Sequence, residues 1–206
     1  TLSPSSAASD VYKRQEGMIR REVWFFKKAG PENTSACLDI LVVLAEEDYQ
    51  DFVIASTTGE TGRRAAERLK PFGVNVVVVA HSVGFKEPNH DEFLKENYEA
   101  ILAAGGKIYK GTILTHSLET AFAKKFGGVY PTLIIAQSLR RLGEGIKVCC
   151  EIVMEACDAG LIEEGKEVVA MAGTVRGADT VAILKSATSK RFLDLKVLEI
   201  LAKPRI

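Results

Sequence analysis

Phe52-Val-Ile-Ala-Ser-Thr-Thr-Gly-Glu-Thr-Gly-Arg63, followed after a helical segment by Val74-Asn-Val-Val-Val-Val-Ala80, decides the architecture of this 206-residue chain. Neither apolar run alternates with polar residues, and continuous apolar strands are what a parallel sheet covered on both faces requires. Thr61 to Leu69 between them reads as a helix, so the segment is a β-α-β unit. Upstream, Glu22-Val-Trp-Phe-Phe26 is strand-like and runs into a turn at Lys27-Lys-Ala-Gly-Pro-Glu-Asn33. A helix follows on which Ala36, Ile40, Val43 and Leu44 recur at helical spacing, with Asn33 or Thr34 placed to cap it. Asn33-Thr34-Ser35 is formally a glycosylation sequon, but capping is the preferred reading.

Downstream the alternation continues. Asp91 to Ala104 reads as a helix closed by Gly105-Gly106, and Lys107-Ile-Tyr-Lys110 as a short strand. Leu118 to Cys157 is helical in pattern, broken at Gly127-Gly128 and Gly143-Glu-Gly145, and Pro131 suits the first turn of a new helix. Val168-Val-Ala-Met-Ala172 and Thr180-Val-Ala-Ile-Leu184 read as strands, with a last one over Lys196 to Ala202. The expected fold is a three-layer α/β/α sandwich with a mostly parallel sheet.

Composition narrows the partners. With 47% hydrophobic residues the chain can bury one sizeable core, and its 27 basic and 27 acidic residues cancel. No global field draws it to nucleic acid or to a membrane surface, so an anion site has to be local. No apolar run reaches the ~20 residues of a membrane span and nothing resembles a signal peptide, so a cytoplasmic location is expected. Cys37, Cys149, Cys150 and Cys157 lack metal-ligand spacing and are expected as buried free thiols. Ser5 to Gln15, reading SSAASDVYKRQ, looks like a translated sequencing adapter of the kind carried into metagenomic assemblies. Residues 1–17 are therefore set aside as adapter-derived or disordered, and 18–206 are taken as the domain, with Met18 as the expected start.

Two segments carry candidate chemistry. Ser56, Thr57, Thr58, Gly59, Glu60 and Thr61 lie between a strand and a helix, where hydroxyls, backbone amides and the helix dipole favour a phosphate. The same residues read equally as a capping box, with Thr57 capping the helix and Glu60 reaching back. The pattern is neither a P-loop nor a dinucleotide fingerprint. Gly173, Thr174, Arg176, Gly177, Ala178 and Asp179 form the second loop, where Arg176 either pairs with a phosphate or lies solvated on a turn. The three histidines, His81, His90 and His116, lack metal-ligand spacing, and no metal site is expected. His81, followed by Gly84 and Phe85, can face the same rim. Glu151, an acid in an apolar helix, must be paired or hydrogen-bonded, either to a ligand or to brace a loop.

Together, Phe52 to Arg63 and Val76 to Ala80 resemble the strand-loop-helix-strand of the pyruvate kinase C-terminal domain. Further motifs are similar to stand-alone proteins of that type: Lys28-Ala-Gly-Pro-Glu-Asn-Thr34, Gly59-Glu-Thr61, Gly84-Phe85, Phe126-Gly-Gly128, Lys147-Val-Cys149 with Glu151, Asp158-Ala-Gly160 and Gly177-Ala-Asp-Thr180. The resemblance runs from Val23 to Pro204, departing where Ala172 replaces an expected glycine and over Thr112 to Thr120. It implies a rim site for a phosphorylated small molecule, with flavin mononucleotide (FMN) as the implied cofactor and Asn33 and Thr34 joining the residues above. The barrel that carries pyruvate kinase chemistry is not matched, so kinase activity is not expected. A flavin-dependent enzyme using His81 or Glu151 and a structural, homo-oligomer-forming domain are the alternatives.

Overall fold

The computed structural model describes residues 20–205, so the expectations for residues 1–17 lie outside the described residues. In chain order the elements are β1 (Trp24–Phe26), α1 (Thr34–Glu46), β2 (Asp51–Ala55), α2 (Glu60–Leu69), β3 (Asn75–His81), α3 (Lys95–Ala103) and β4 (Lys107–Gly111). Then come α4 (Leu118–Phe126), α5 (Pro131–Leu139), α6 (Glu144–Asp158), β5 (Glu167–Ala172), β6 (Thr180–Lys185) and β7 (Lys196–Pro204). All seven strands form one sheet in the order β1-β7-β6-β5-β2-β3-β4. β6 runs antiparallel to both its neighbours, and the other six strands share one direction.

Alternation along the strands sorts the core into two halves. Phe52, Ile54, Val76, Val78, Val169, Met171, Val181 and Ile183 pack with residues of α1, α2 and α3. Val53, Val77, Val79, Val168, Ala170, Ala172, Ala182 and Leu184 pack with α6. These are the three layers the apolar runs required. α6 serves its face almost alone, burying every residue from Gly145 to Cys157 except Val148. α4 buries none of its residues and α5 only Ala136.

Two elements differ from the expected reading. On α1 the sheet takes Cys37, Leu38, Leu41, Leu44 and Ala45, while Val43 stays half exposed. Two apolar stripes overlap on this helix, and the leucine-rich one faces the core. α3 begins at Lys95 rather than Asp91 because the Asp91 carboxylate accepts a hydrogen bond from the Phe93 amide (3.0 Å), closing a local turn. All four cysteines are free and buried, as expected of small apolar side chains.

Candidate functional site at the carboxyl rim of the sheet

β2 pairs with β3 on one side and with β5 on the other, Ile54 lying opposite both Val78 and Met171. The chain leaves β2 toward β3 through α2, and leaves β5 toward β6 in the opposite direction. Loops that part in this way open a crevice at the carboxyl ends of the strands. The two candidate loops, separate in sequence, therefore emerge side by side. Asn33 and Thr34 follow β1, and His81, the last residue of β3, leads into Ser82 to Phe85 on the same rim.

The Ser56–Thr61 loop is fixed from several sides. Thr58 offers its carbonyl to the Leu94 amide (3.1 Å) and to Asn97 Nδ2 (2.9 Å). Gly59 takes φ +86°, and a Cβ there would sit 2.6 Å from the Phe93 ring, so both conformation and space demand glycine. Ser56 Oγ accepts the Gly62 amide at 3.2 Å. The expected capping box does not form: Gly59 occupies the cap position without a side-chain cap, and Glu60 is exposed. A left-handed glycine before the helix carries Thr57 out of capping reach and leaves one amide to Ser56. The amides of Glu60 and Thr61, which a helix start leaves open, make no hydrogen bond among the described residues. Thr61 is only 8% exposed, and its hydroxyl has no partner there either. Arg63 is engaged by Asn97 Oδ1 (3.1 Å) and Glu67 (3.0 Å).

The second loop is organised by Asp179, which is fully buried. Its Oδ2 accepts Gly30 N (3.3 Å), Thr174 N (3.2 Å) and Thr174 Oγ1 (2.8 Å), and Oδ1 accepts Thr180 Oγ1 (2.9 Å). Thr34 Oγ1 accepts the Ala178 amide at 2.9 Å. Gly177 takes φ +67°, and a Cβ there would meet Thr34 Oγ1 at 2.5 Å and Pro31 Cα at 2.6 Å. Asn33 and Thr34 thus tie loops together instead of capping α1. Asn33 already has helical angles, and its Nδ2 donates to the carbonyls of Lys28 (2.9 Å) and Gly30 (3.2 Å). Ala178 and Asp179 are buried in the same scaffold, whereas Arg176 is exposed with no ion-pair partner among the described residues. Ala172 is wholly buried beneath α6, a core position.

At the end of β3, His81 stacks on Phe85 (ring centroids 4.2 Å apart) and its Nδ1 lies 3.4 Å from Glu92 Oε2. A cleft of about 630 Å³ opens beyond it, lined among others by Gly84, Phe85, Ile113, His116 and Leu118. Glu151 is paired with Lys147, and its Oε1 receives the Thr115 amide (3.2 Å) and hydroxyl. It braces the loop after β4 by way of the very segment where the sequence departs from its resemblance. Glu155, one turn further along α6, is buried as well, and burial first and Glu151 second push its carboxyl up to about 8. Burial and then Lys147 lower His116. Thr115 and Glu155 have no role in the sequence pattern read above, and His116 figures there only as a histidine without metal-ligand spacing. The spacing Lys147, Glu151, Glu155 on one apolar helix was the available signal, since charges at i, i+4 and i+8 on a buried face must answer one another.

Among the described residues no group of three or more His, Cys, Asp or Glu side chains can hold a metal ion, and no helix is long and apolar enough to cross a membrane. Among solved structures, O-ureido-L-serine synthase overlaps 50% of this chain and 34% of its own, at 22% identity and a TM-score of 0.27. Diaminopropionate ammonia lyase of Escherichia coli, in its apo form, overlaps 66% and 41%, at 14% identity and a TM-score of 0.29. The chain spans well under half the length of these proteins, and at such scores nothing about it follows from them. The family model for the pyruvate kinase alpha/beta domain matches residues 36–184, from the first turn of α1 to β6. That span holds both candidate loops and nearly all of the core, and on it this chain belongs to the pyruvate kinase alpha/beta domain family.

Proposed function

We propose that the domain binds a phosphorylated small molecule at the β2–β5 crevice, with FMN as the leading ligand and a sugar phosphate as the second. The observation that carries this reading is the adjacency of the Ser56–Thr61 and Gly173–Asp179 loops at the point where the chain parts in opposite directions. Open amides at the start of α2, the unpartnered Thr61 hydroxyl and the free Arg176 supply the donors a phosphate needs. The cleft beyond β3, with its aromatic wall at Phe85 and apolar Ile113 and Leu118, is of a size suited to a planar ring. A bound flavin would bring redox chemistry; the chain's own part is to hold the phosphate and shield the ring.

Thr61→Val keeps the shape and removes the donor. Affinity for FMN is expected to fall by roughly 1.5–3 kcal/mol, about tenfold to somewhat over a hundredfold, with little change in melting temperature. Thr57→Ala, at a position that does not cap, is expected to leave stability nearly unchanged. Titration calorimetry with FMN and with riboflavin provides the test. Equal affinity of parent and Thr61→Val, or of the two ligands for the parent, would place the phosphate elsewhere.

A further inference from the structure

Lys147, Glu151 and Thr115 form a buried chain of polar contacts that ends on a side chain of the cleft. The Lys147 ammonium occupies Glu151 Oε2, while Oε1 receives both the Thr115 amide (3.2 Å) and the Thr115 hydroxyl. A threonine hydroxyl has a single proton, and here it is directed at a carboxylate that has none to return. Thr115 Oγ1 is then left only to accept, and the group beside it is His116 Nδ1, 3.1 Å away. Nδ1 therefore carries the ring proton. Burial and then Lys147 lower His116, with Arg140 adding to the effect and Glu151 and Glu144 opposing it, so the ring is neutral around neutral pH. A neutral imidazole with its proton on Nδ1 has a bare lone pair on Nε2.

The backbone holds this ring in place, since the His116 amide donates to the Ile113 carbonyl at 3.0 Å and closes a turn. His116 is half-buried and lines the cleft after β3. Its Nε2 makes no hydrogen bond among the described residues, none of whose buried side-chain nitrogens and oxygens lacks a partner, so this atom is open to the cleft rather than enclosed by protein. Among the described side chains that line the cleft, Ser82, Thr112, Ser117 and Thr120 carry hydroxyls that either donate or accept, and Lys124 an ammonium that only donates. His116 differs from them in offering an acceptor whose direction is set from behind. Against the apolar wall of Phe85, Ile113 and Leu118 a hydrogen bond to it is stronger than in water, and a ligand without a donor at that point leaves it unpaired.

We infer that His116 reads the edge of the ring bound in the cleft, accepting an N–H or O–H donor at Nε2, and that Thr115 is a positioning residue that fixes its tautomer. The inference rests on the reading of the cleft as a ring site, and it selects planar rings that carry an imide, amide or hydroxyl proton. The full chain without ligand gives the first test. Its imidazole nitrogen shifts at about pH 7.5 should show His116 as the Nδ1–H tautomer. Thr115→Val should let the two tautomers mix, and Thr115→Ser should restore the first. A parent in the Nε2–H form overturns the inference, as does a Thr115→Val chain with an unchanged tautomer. Titration with FMN and with its derivative methylated at the one N–H of the oxidised ring gives the second test. The parent is expected to bind FMN about five- to a hundredfold more tightly than the methylated form, and His116→Phe to lose that preference. The parent spectrum and the His116→Phe comparison decide the matter even where Thr115→Val does not fold. Equal binding of the two flavins by the parent, or a preference that survives in His116→Phe, overturns the role of His116 and leaves the phosphate reading standing. FMN binding no tighter than riboflavin defeats the phosphate reading instead, while the methyl comparison still decides the role of His116. A parent that binds neither flavin overturns both.

Discussion

Replacing Glu155 by glutamine should change the pH dependence of stability more than stability itself. The carboxyl lies on the inner face of α6 and is buried, with Glu151, Lys147 and Asp158 of the same helix, the Leu114 amide after β4 and Tyr109 of β4 around it. Burial and the neighbouring Glu151 raise it from 4.5 to about 8. Above about pH 4.5 the unfolded chain releases this proton while the folded chain keeps it, so rising pH favours unfolding until the folded carboxyl also ionises near pH 8. Stability is therefore fully present below the ordinary carboxyl range and declines through neutral pH. At about 1.4 kcal/mol per unit, the loss between pH 5 and pH 8 is roughly 3–4 kcal/mol, a large share of the stability of an ordinary domain. Glu155→Gln keeps the shape of the neutral acid and cannot ionise. Urea titrations of parent and variant at intervals from about pH 5 to 9 should give nearly equal stabilities at the acid end, with the variant ahead at the alkaline end. A difference between the two proteins that is constant across this range would refute the buried, proton-holding role of Glu155.

Asp179→Ala should be among the most damaging substitutions at the rim, because it strips four hydrogen bonds from Gly30, Thr174 and Thr180 at a buried position. A loss on the order of 2–4 kcal/mol is expected in denaturant, with Asp179→Asn retaining part of it. The cysteines should be inert in the native protein: burial pushes Cys37 and Cys150 up to about 12 and Cys157 to about 11, and holds Cys149 well above an ordinary thiol. Ellman's reagent at about pH 8 should then titrate them only after unfolding, and fast labelling of the folded chain would contradict their burial.

The strands were legible because their signal is local. Val76 to Val79 and Val168 to Ala172 need no knowledge of their neighbours to be read as buried on both faces, and Gly143 and Pro131 punctuate the helices unambiguously. What stayed hidden was set by partners far away in the chain. Nothing in Thr34 announces that its hydroxyl will accept an amide from Ala178, and nothing in Asp179 that it will hold Gly30. The capping box failed for a related reason: Ser-Thr-Thr-Gly-Glu offers three plausible caps, and the ring of Phe93, closing over Gly59, selects a geometry in which only Ser56 meets a helix amide. The pairing of β2 with β5, on which the candidate site depends, lies beyond any local pattern.

That pairing also governs how the chain reaches its fold. Val53 of β2 lies opposite Ala170 of β5, which is more than half the chain away in sequence, so the two central strands join only after α6 and β5 exist. Until then β2 is an edge strand whose Phe52-Val-Ile54 run presents unpaired amides and carbonyls, next to the four successive valines of β3. During synthesis at ~5–20 residues per second this edge stands open for several seconds or longer, long enough to meet another nascent chain. A closure so non-local is slow by its topology. The same parting of loops that opens the crevice leaves the centre of this sheet, like its β1–β7 edge, to close late, and the apolar edge of β2 exposed until it does.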